Sequence, residues 1–146
     1  MAATATKSMD LFMKGKAKQV VLEEVVVSKR YVDEEGNPIP FTLKAVDTKR
    51  IEELQDECTV PQFKKGKKIG EEIDWKRFAC RLAVETTVYP NFRDQELLNS
   101  YGIVDPCELV KEILNVGGEY AELIQAVQRV NGFDTDFEEL VDEAKN

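Results

Sequence analysis

A chain of 146 residues with 42% hydrophobic and 33% charged residues has the balance of a globular protein with a core of its own, and not that of a disordered one. Its formal net charge of −8 is unevenly placed: residues 94–146 carry 13 Asp/Glu against 3 Lys/Arg, whereas residues 1–93 carry 15 against 17, so the acidic half repels nucleic acid and anionic membrane and suits solvated helix faces or a basic partner. Histidine is absent, which removes the commonest general base, the usual orienter of a nucleophile and the favoured nitrogen ligand for metals.

Residues 1–7 are expected to be a disordered tail, without the apolar core of a signal peptide. Ser8 is placed to cap a short helical turn carrying Met9, Leu11, Phe12 and Met13, which either folds onto the body or waits for a partner. Lys14-Gly15-Lys16-Ala17-Lys18 breaks that turn and reads as a solvated linker, since it lacks the aromatic interleaving of a nucleic-acid patch.

From Gln19 to Val32 the valine-rich run reads as a strand, the stretch Asp33–Pro38 as a turn with Gly36 and Asn37 available for positive φ, and Ile39 to Val46 as a returning strand with Phe41, Leu43 and Ala45 on one face. This is a β-hairpin whose further partner strands are not visible, and such a ribbon needs helices or another chain to pack on. Asp47 or Thr48 then caps a helix through Ile51, Leu54 and about Cys58. Residues 61–72 read as a mobile, glycine-punctuated surface loop. Its lysines do not make a phosphate loop, because Gly66-Lys67-Lys68 lacks both the leading glycine and the hydroxyl.

After Asp74 the apolar positions Trp75, Phe78, Ala79, Leu82 and Ala83 recur at helical spacing to about Thr87. Pro90 turns the chain, and Asp94 and Gly102 bound a short helix, with Tyr89, Phe92 and Tyr101 around the corner to join neighbouring helices. Asp105-Pro106-Cys107-Glu108 supplies a cap, a proline at the first helical position and an acid at the third. That helix continues through Leu109, Val110, Ile113 and Leu114 and is broken by Gly117-Gly118. Tyr120, Leu123, Ile124, Val127 and Val130 line the next, which Asn131-Gly132 closes. A last acidic helix, capped by Thr135 or Asp136, would turn Phe137, Leu140, Val141 and Ala144 inward.

The three cysteines, Cys58, Cys80 and Cys107, form no C-x-x-C pair and fit reduced buried thiols better than a zinc site. No apolar run reaches the roughly 18 residues of a membrane span. The expected fold is α+β: one domain over residues 8–146, with a hairpin at about 19–46 packed on a helical body of five or six helices at about 48–144. A small enzyme working through carboxylates is disfavoured, because adjacent acids such as Glu138 and Glu139 point to different helix faces. No catalytic, cofactor or metal residues are expected.

Several stretches resemble a known family. Met9-Asp-Leu-Phe-Met-Lys-Gly15, the turn Asp33-Glu-Glu-Gly-Asn-Pro-Ile-Pro-Phe41, Tyr89-Pro-Asn-Phe-Arg-Asp94 followed by Leu97-Leu-Asn-Ser-Tyr-Gly102, and Gly117-Gly-Glu-Tyr120 through Val130-Asn-Gly-Phe133 look like the tail assembly chaperones of PBSX-like phages and prophages (XkdN-like). The resemblance covers nearly the whole chain, except that residues 58–72 carry no matching motif. It implies a non-catalytic protein of the bacterial cytoplasm that binds the long tape measure protein, keeps it soluble, helps recruit tail-tube subunits, and is absent from the finished particle. It implies no nucleic-acid or membrane partner. A structural virion or head-tail connector component is the alternative. Such families make a longer product by ribosomal frameshifting, and Ala144-Lys145-Asn146 can be spelled GCA-AAA-AAC, which contains a slippage heptamer. The apolar turn Leu11, Phe12 and Met13 and the open hairpin edge are the expected partner-binding elements. The oligomeric state is left open.

Overall fold

The computed structural model describes residues 8–133. The acidic helix expected over 137–144 and the tail of residues 1–7 lie outside them. A 3₁₀ turn, Met9–Phe12, leads into β1 (Glu23–Val25), β2 (Phe41–Leu43), α1 (Thr48–Glu57), β3 (Thr59–Lys64), β4 (Lys67–Ile73), α2 (Trp75–Thr86), β5 (Thr87–Tyr89), α3 (Gln95–Tyr101), α4 (Pro106–Ile113) and α5 (Gly117–Val130). Among the described residues, five α-helices and antiparallel strands make the α+β architecture that the sequence pattern implies.

Helix α2 is the centre. Asp74 caps it by accepting from the Arg77 amide at 3.2 Å, and Phe78, Cys80, Leu82, Ala83 and Val84 are buried along it. They join Leu54 of α1, Leu109 and Val110 of α4, and Leu123 and Val127 of α5 in one apolar cluster. The ring of Trp75 meets Phe78 edge-on, 5.6 Å between centroids, a favoured aromatic geometry. Thr87 ends the helix by donating its hydroxyl to the Ala83 carbonyl at 2.7 Å, and the chain passes straight into β5.

That strand is the hairpin's missing partner. Sheet order is β1-β2-β5, all antiparallel, with Glu23 opposite Leu43, Val25 opposite Phe41, and Thr42 opposite Tyr89. The paired strands are only three residues each, much shorter than the valine-rich run suggests. An isolated bridge between Val32 and Pro38 holds the tip, where the Asp33 carboxylate accepts from the amides of Glu35 and Asn37, both at 2.9 Å. Phe41 and Leu43 face the core, as their alternation implies.

Three other expectations are corrected. Residues 61–72 are not a loop but most of a second antiparallel hairpin, β3–β4. Its two-residue turn is Lys65-Gly66, with φ of 51° and 78°, the positive-φ pair that hairpin turns of this length require. Of the three corner aromatics, only Phe92 is buried, 6.0 Å from the Phe41 ring, while Tyr89 and Tyr101 face water. Gly117-Gly118 does not interrupt a helix but opens α5, because α4 has already ended at Ile113.

The remaining caps are local and fall where the sequence places them. Asp94 accepts from Leu97 and Asp105 from Cys107. Gly102 (φ 66°) closes α3 while Ile103 donates back to the Leu98 carbonyl, and Gly132 (φ 83°) closes α5 while Phe133 donates to Gln128, the paired closure that left-handed glycines make possible.

Candidate partner-binding surface

The N-terminal segment leaves its apolar side chains in water. Ser8 caps the 3₁₀ turn by accepting from the Asp10 amide at 3.2 Å, and none of its residues is buried. Leu11 is 62% exposed, Phe12 83% and Met13 56%. Met9, Val20, Val21, Leu22 and Val26 are exposed as well. Single exposed apolar residues are ordinary. Eight of them fall within residues 9–26, a local concentration of exposed apolar side chains.

The end of this strip is fastened firmly. Glu23 accepts from the Arg129 guanidinium of α5 at 2.7 Å. Beyond β1, buried Ser28 donates its hydroxyl to the Glu119 carboxylate, and Arg30 spans the same carboxylate and donates to the Ile113 carbonyl and the Asn115 side chain, both at 3.1 Å. The Tyr31 hydroxyl donates to the Ile113 carbonyl at 2.6 Å. The Arg30 guanidinium, helped by Ser28, holds the Glu119 carboxyl at about 2, and Glu119 also sits in the first turn of α5, where negative charge is favoured. Burial pushes the Tyr31 phenol up to about 12. Sequence reasoning missed this clip; its one local signal is the polar break Ser28-Lys29-Arg30 at the end of the valine run.

A second network fixes the corner before α3. One oxygen of Glu85 accepts from Arg50 at 2.8 Å and from Arg93 at 2.6 Å, so α1, α2 and the Pro90 corner share one carboxylate. Burial works to raise its pKa, but the two guanidinium groups outweigh it and the net shift is downward.

Between α2 and α4 lies an open groove of about 800 Å³, whose lining mixes the cations Lys76, Arg77, Arg81, Arg93 and Lys111 with the acids Asp74, Asp105 and Glu108 and includes Cys80 and Cys107. The Cys80 thiol donates to the Cys107 carbonyl at 3.5 Å. Its partner thiol on Cys107 brings the Cys80 pKa down to about 7 against the effect of burial, and Cys107 moves up in return. A nucleophilic thiol needs access and a base to take its proton. Cys80 is 1% exposed and so lacks that access. Among the described residues no cluster of His, Cys, Asp and Glu is arranged to hold a metal, and no helix is long and apolar enough to cross a membrane.

The second hairpin, β3–β4, stands away from the body. None of its residues is buried, and it is anchored at its base where Asp74 donates its amide to the Cys58 carbonyl at 2.8 Å. Phe63 and Ile69 are exposed along it, and Lys64, Lys65, Lys67 and Lys68 crowd its tip.

The family model described as phage XkdN-like tail assembly chaperone protein matches residues 9–145, running through the stretch 58–72 that carries no motif readable by eye. The chain is 47% identical over 138 residues to the uncharacterized protein YqbN of Bacillus subtilis (strain 168), covering 94% of this chain and 93% of the relative. It is 44% identical over 138 residues to the phage-like element PBSX protein XkdN of the same organism, again covering 94% of this chain and 93% of the relative. A crystal structure of the protein yqbn, 43% identical, superposes with a TM-score of 0.77 over 88% of this chain and 99% of that one.

Proposed function

The chain belongs to the family of phage XkdN-like tail assembly chaperones, and from that membership we propose that it works without catalysis, binding a long tape measure protein, holding it soluble in the host cytoplasm and helping tail-tube subunits to gather on it. The observation that carries this reading is the apolar strip of residues 9–26, exposed on a domain whose acidic half keeps a complex soluble. Leu11, Phe12 and Met13 are the proposed contact residues. They are largely exposed, while residues 27–31 secure the segment behind them to the body, so a client can be gripped without disturbing the core.

The test is co-expression with the tape measure protein encoded in the same gene cluster. The expected result is that the long protein becomes soluble and co-purifies with this chain, and that Leu11→Ser, Phe12→Ser and Met13→Ser together abolish co-purification while the variant stays folded. A client that stays insoluble, or one held equally well by the triple variant, refutes the corresponding part. A chaperone is also expected to be missing from the proteome of purified particles; stoichiometric presence there would favour a structural virion role. The frameshifted longer product belongs to the same proposal, and a non-slippery spelling of Ala144-Lys145-Asn146 in the coding DNA would remove its support.

A further inference from the structure

We propose that the β3–β4 hairpin is a docking arm for a second copy of this chain, and that its lysine tip seats on the acidic half of the neighbour.

Three observations carry this. The first is exposure: the strands pair with each other over Thr59–Lys64 and Lys67–Ile73, no side chain of either is fully buried, and the contacts to the body lie at the base, where Ile73 packs against the core and the Thr59 hydroxyl donates to the Gln55 carbonyl at 2.9 Å. Both outer edges of a two-stranded ribbon offer unpaired amides and carbonyls, and Phe63 and Ile69, 63% and 62% exposed, add apolar surface. The second is register. Lys64 lies directly opposite Lys67, and like charges in facing positions repel. Lys68 is met by Glu71 at 2.9 Å, but Lys64, Lys65 and Lys67 make no ion pair with any described residue. The arm therefore holds concentrated positive charge that an acidic surface would relieve.

The third is charge placement over the whole chain. Residues 59–73 hold four lysines and two glutamates, a net of +2, while the rest holds 16 basic and 26 acidic residues, a net of −10. Two bodies repel, but an arm and a body attract. The acidic partner surface is the neighbour's residues 94–133, where exposed Glu108 and Glu112 lie one helical turn apart on α4 and exposed Glu122 follows on α5. An arm-to-body contact joins two different patches, so it can repeat from copy to copy without closing into a symmetric pair. This goes beyond client binding and does not depend on it.

The experiment uses the purified full chain with no client, so its outcome is separate from that of the co-expression test. Equal amounts of nitrogen-15-labelled and unlabelled protein are mixed at low salt and treated with a zero-length carbodiimide that joins lysines to carboxylates. The expected result is mixed-isotope peptides linking Lys64, Lys65 or Lys67 to acids within 94–133, with sedimentation velocity showing association that grows with concentration and weakens in high salt. Lys64→Glu with Lys67→Glu should weaken that association by at least about tenfold with an unchanged far-ultraviolet circular dichroism spectrum, and Phe63→Ser should weaken it without reversing charge. A protein monomeric at every concentration overturns the proposal. So do arm cross-links confined to same-isotope pairs, an association that the charge-reversed variant retains, or arm lysines that instead bind a single-stranded oligonucleotide while the protein stays monomeric.

Discussion

Asp74 separates two neighbouring stretches with opposite fates. On its N-terminal side, residues 59–73 form a ribbon with no buried side chain; on the other, residues 75–86 form the helix around which the core closes. The ribbon is held by main-chain hydrogen bonds and the sign of φ at its turn, the helix by side chains withdrawn from water. Burial is the larger force, so the helix governs whether the protein folds, and the ribbon, like the strip of residues 9–26, is free to carry surface chemistry that a core could not tolerate.

The strongest attack on the helix side is Phe78→Ala. The ring is fully buried and packs on Trp75, so urea unfolding should show a loss of about 3–5 kcal/mol. A loss no greater than that of a surface change would mean that α2 is not the centre of the core. Asn131 comes next. Its side chain accepts from the Val46 amide at 2.8 Å and donates to the Thr86 hydroxyl and the Val127 carbonyl, both at 2.9 Å, joining the first hairpin, α2 and α5. Asn131→Ala leaves those groups without their partner and should cost about 1–3 kcal/mol in the same measurement.

The clip at Glu119 sharpens the contrast through pH. Its pKa is near 2 in the folded protein and about 4.3 in an unfolded chain. Between those values the unfolded state binds more protons, so this contribution is full above about pH 4.3 and disappears as pH falls toward 2. Thermal melts of wild type and Glu119→Gln should therefore differ at neutral pH and converge in acid; parallel curves would discount the clip. The smallest expected effect lies on the ribbon. Lys65 holds a positive φ that asparagine adopts more readily, so Lys65→Asn should slow amide exchange within 59–73 by a small factor while leaving the global melting temperature unchanged. A shift in the global midpoint would show that the arm is coupled to the core.

What the sequence reveals follows the same division. Helix α2, the Asp94 and Asp105 caps and the helix-ending Gly102 are legible because each depends on residues within one or two turns of itself. The ribbon is not, since a strand exposed on both faces carries no alternation of apolar and polar residues, and Pro61, Gly66 and Gly70 look like loop punctuation. Strand β5 is hidden for another reason: its three residues follow α2 without a break, and Thr87 serves both elements. Leu11, Phe12 and Met13 stand out as apolar residues without a periodic partner, and the structure leaves them exposed. Ser28 and Arg30 could not be matched to Glu119 by eye, because the contact spans about ninety residues.

That long span also orders events at the ribosome. Residues 9–26 are made well before the carboxylate and the carbonyl that secure the segment behind them, which belong to Glu119 and Ile113, 91 and 83 positions beyond Ser28 and Arg30 respectively. Until residues 113–129 have been made, the apolar stretch is joined to the growing fold through the β1–β2 pairing and lacks the polar clip and the Glu23–Arg129 contact.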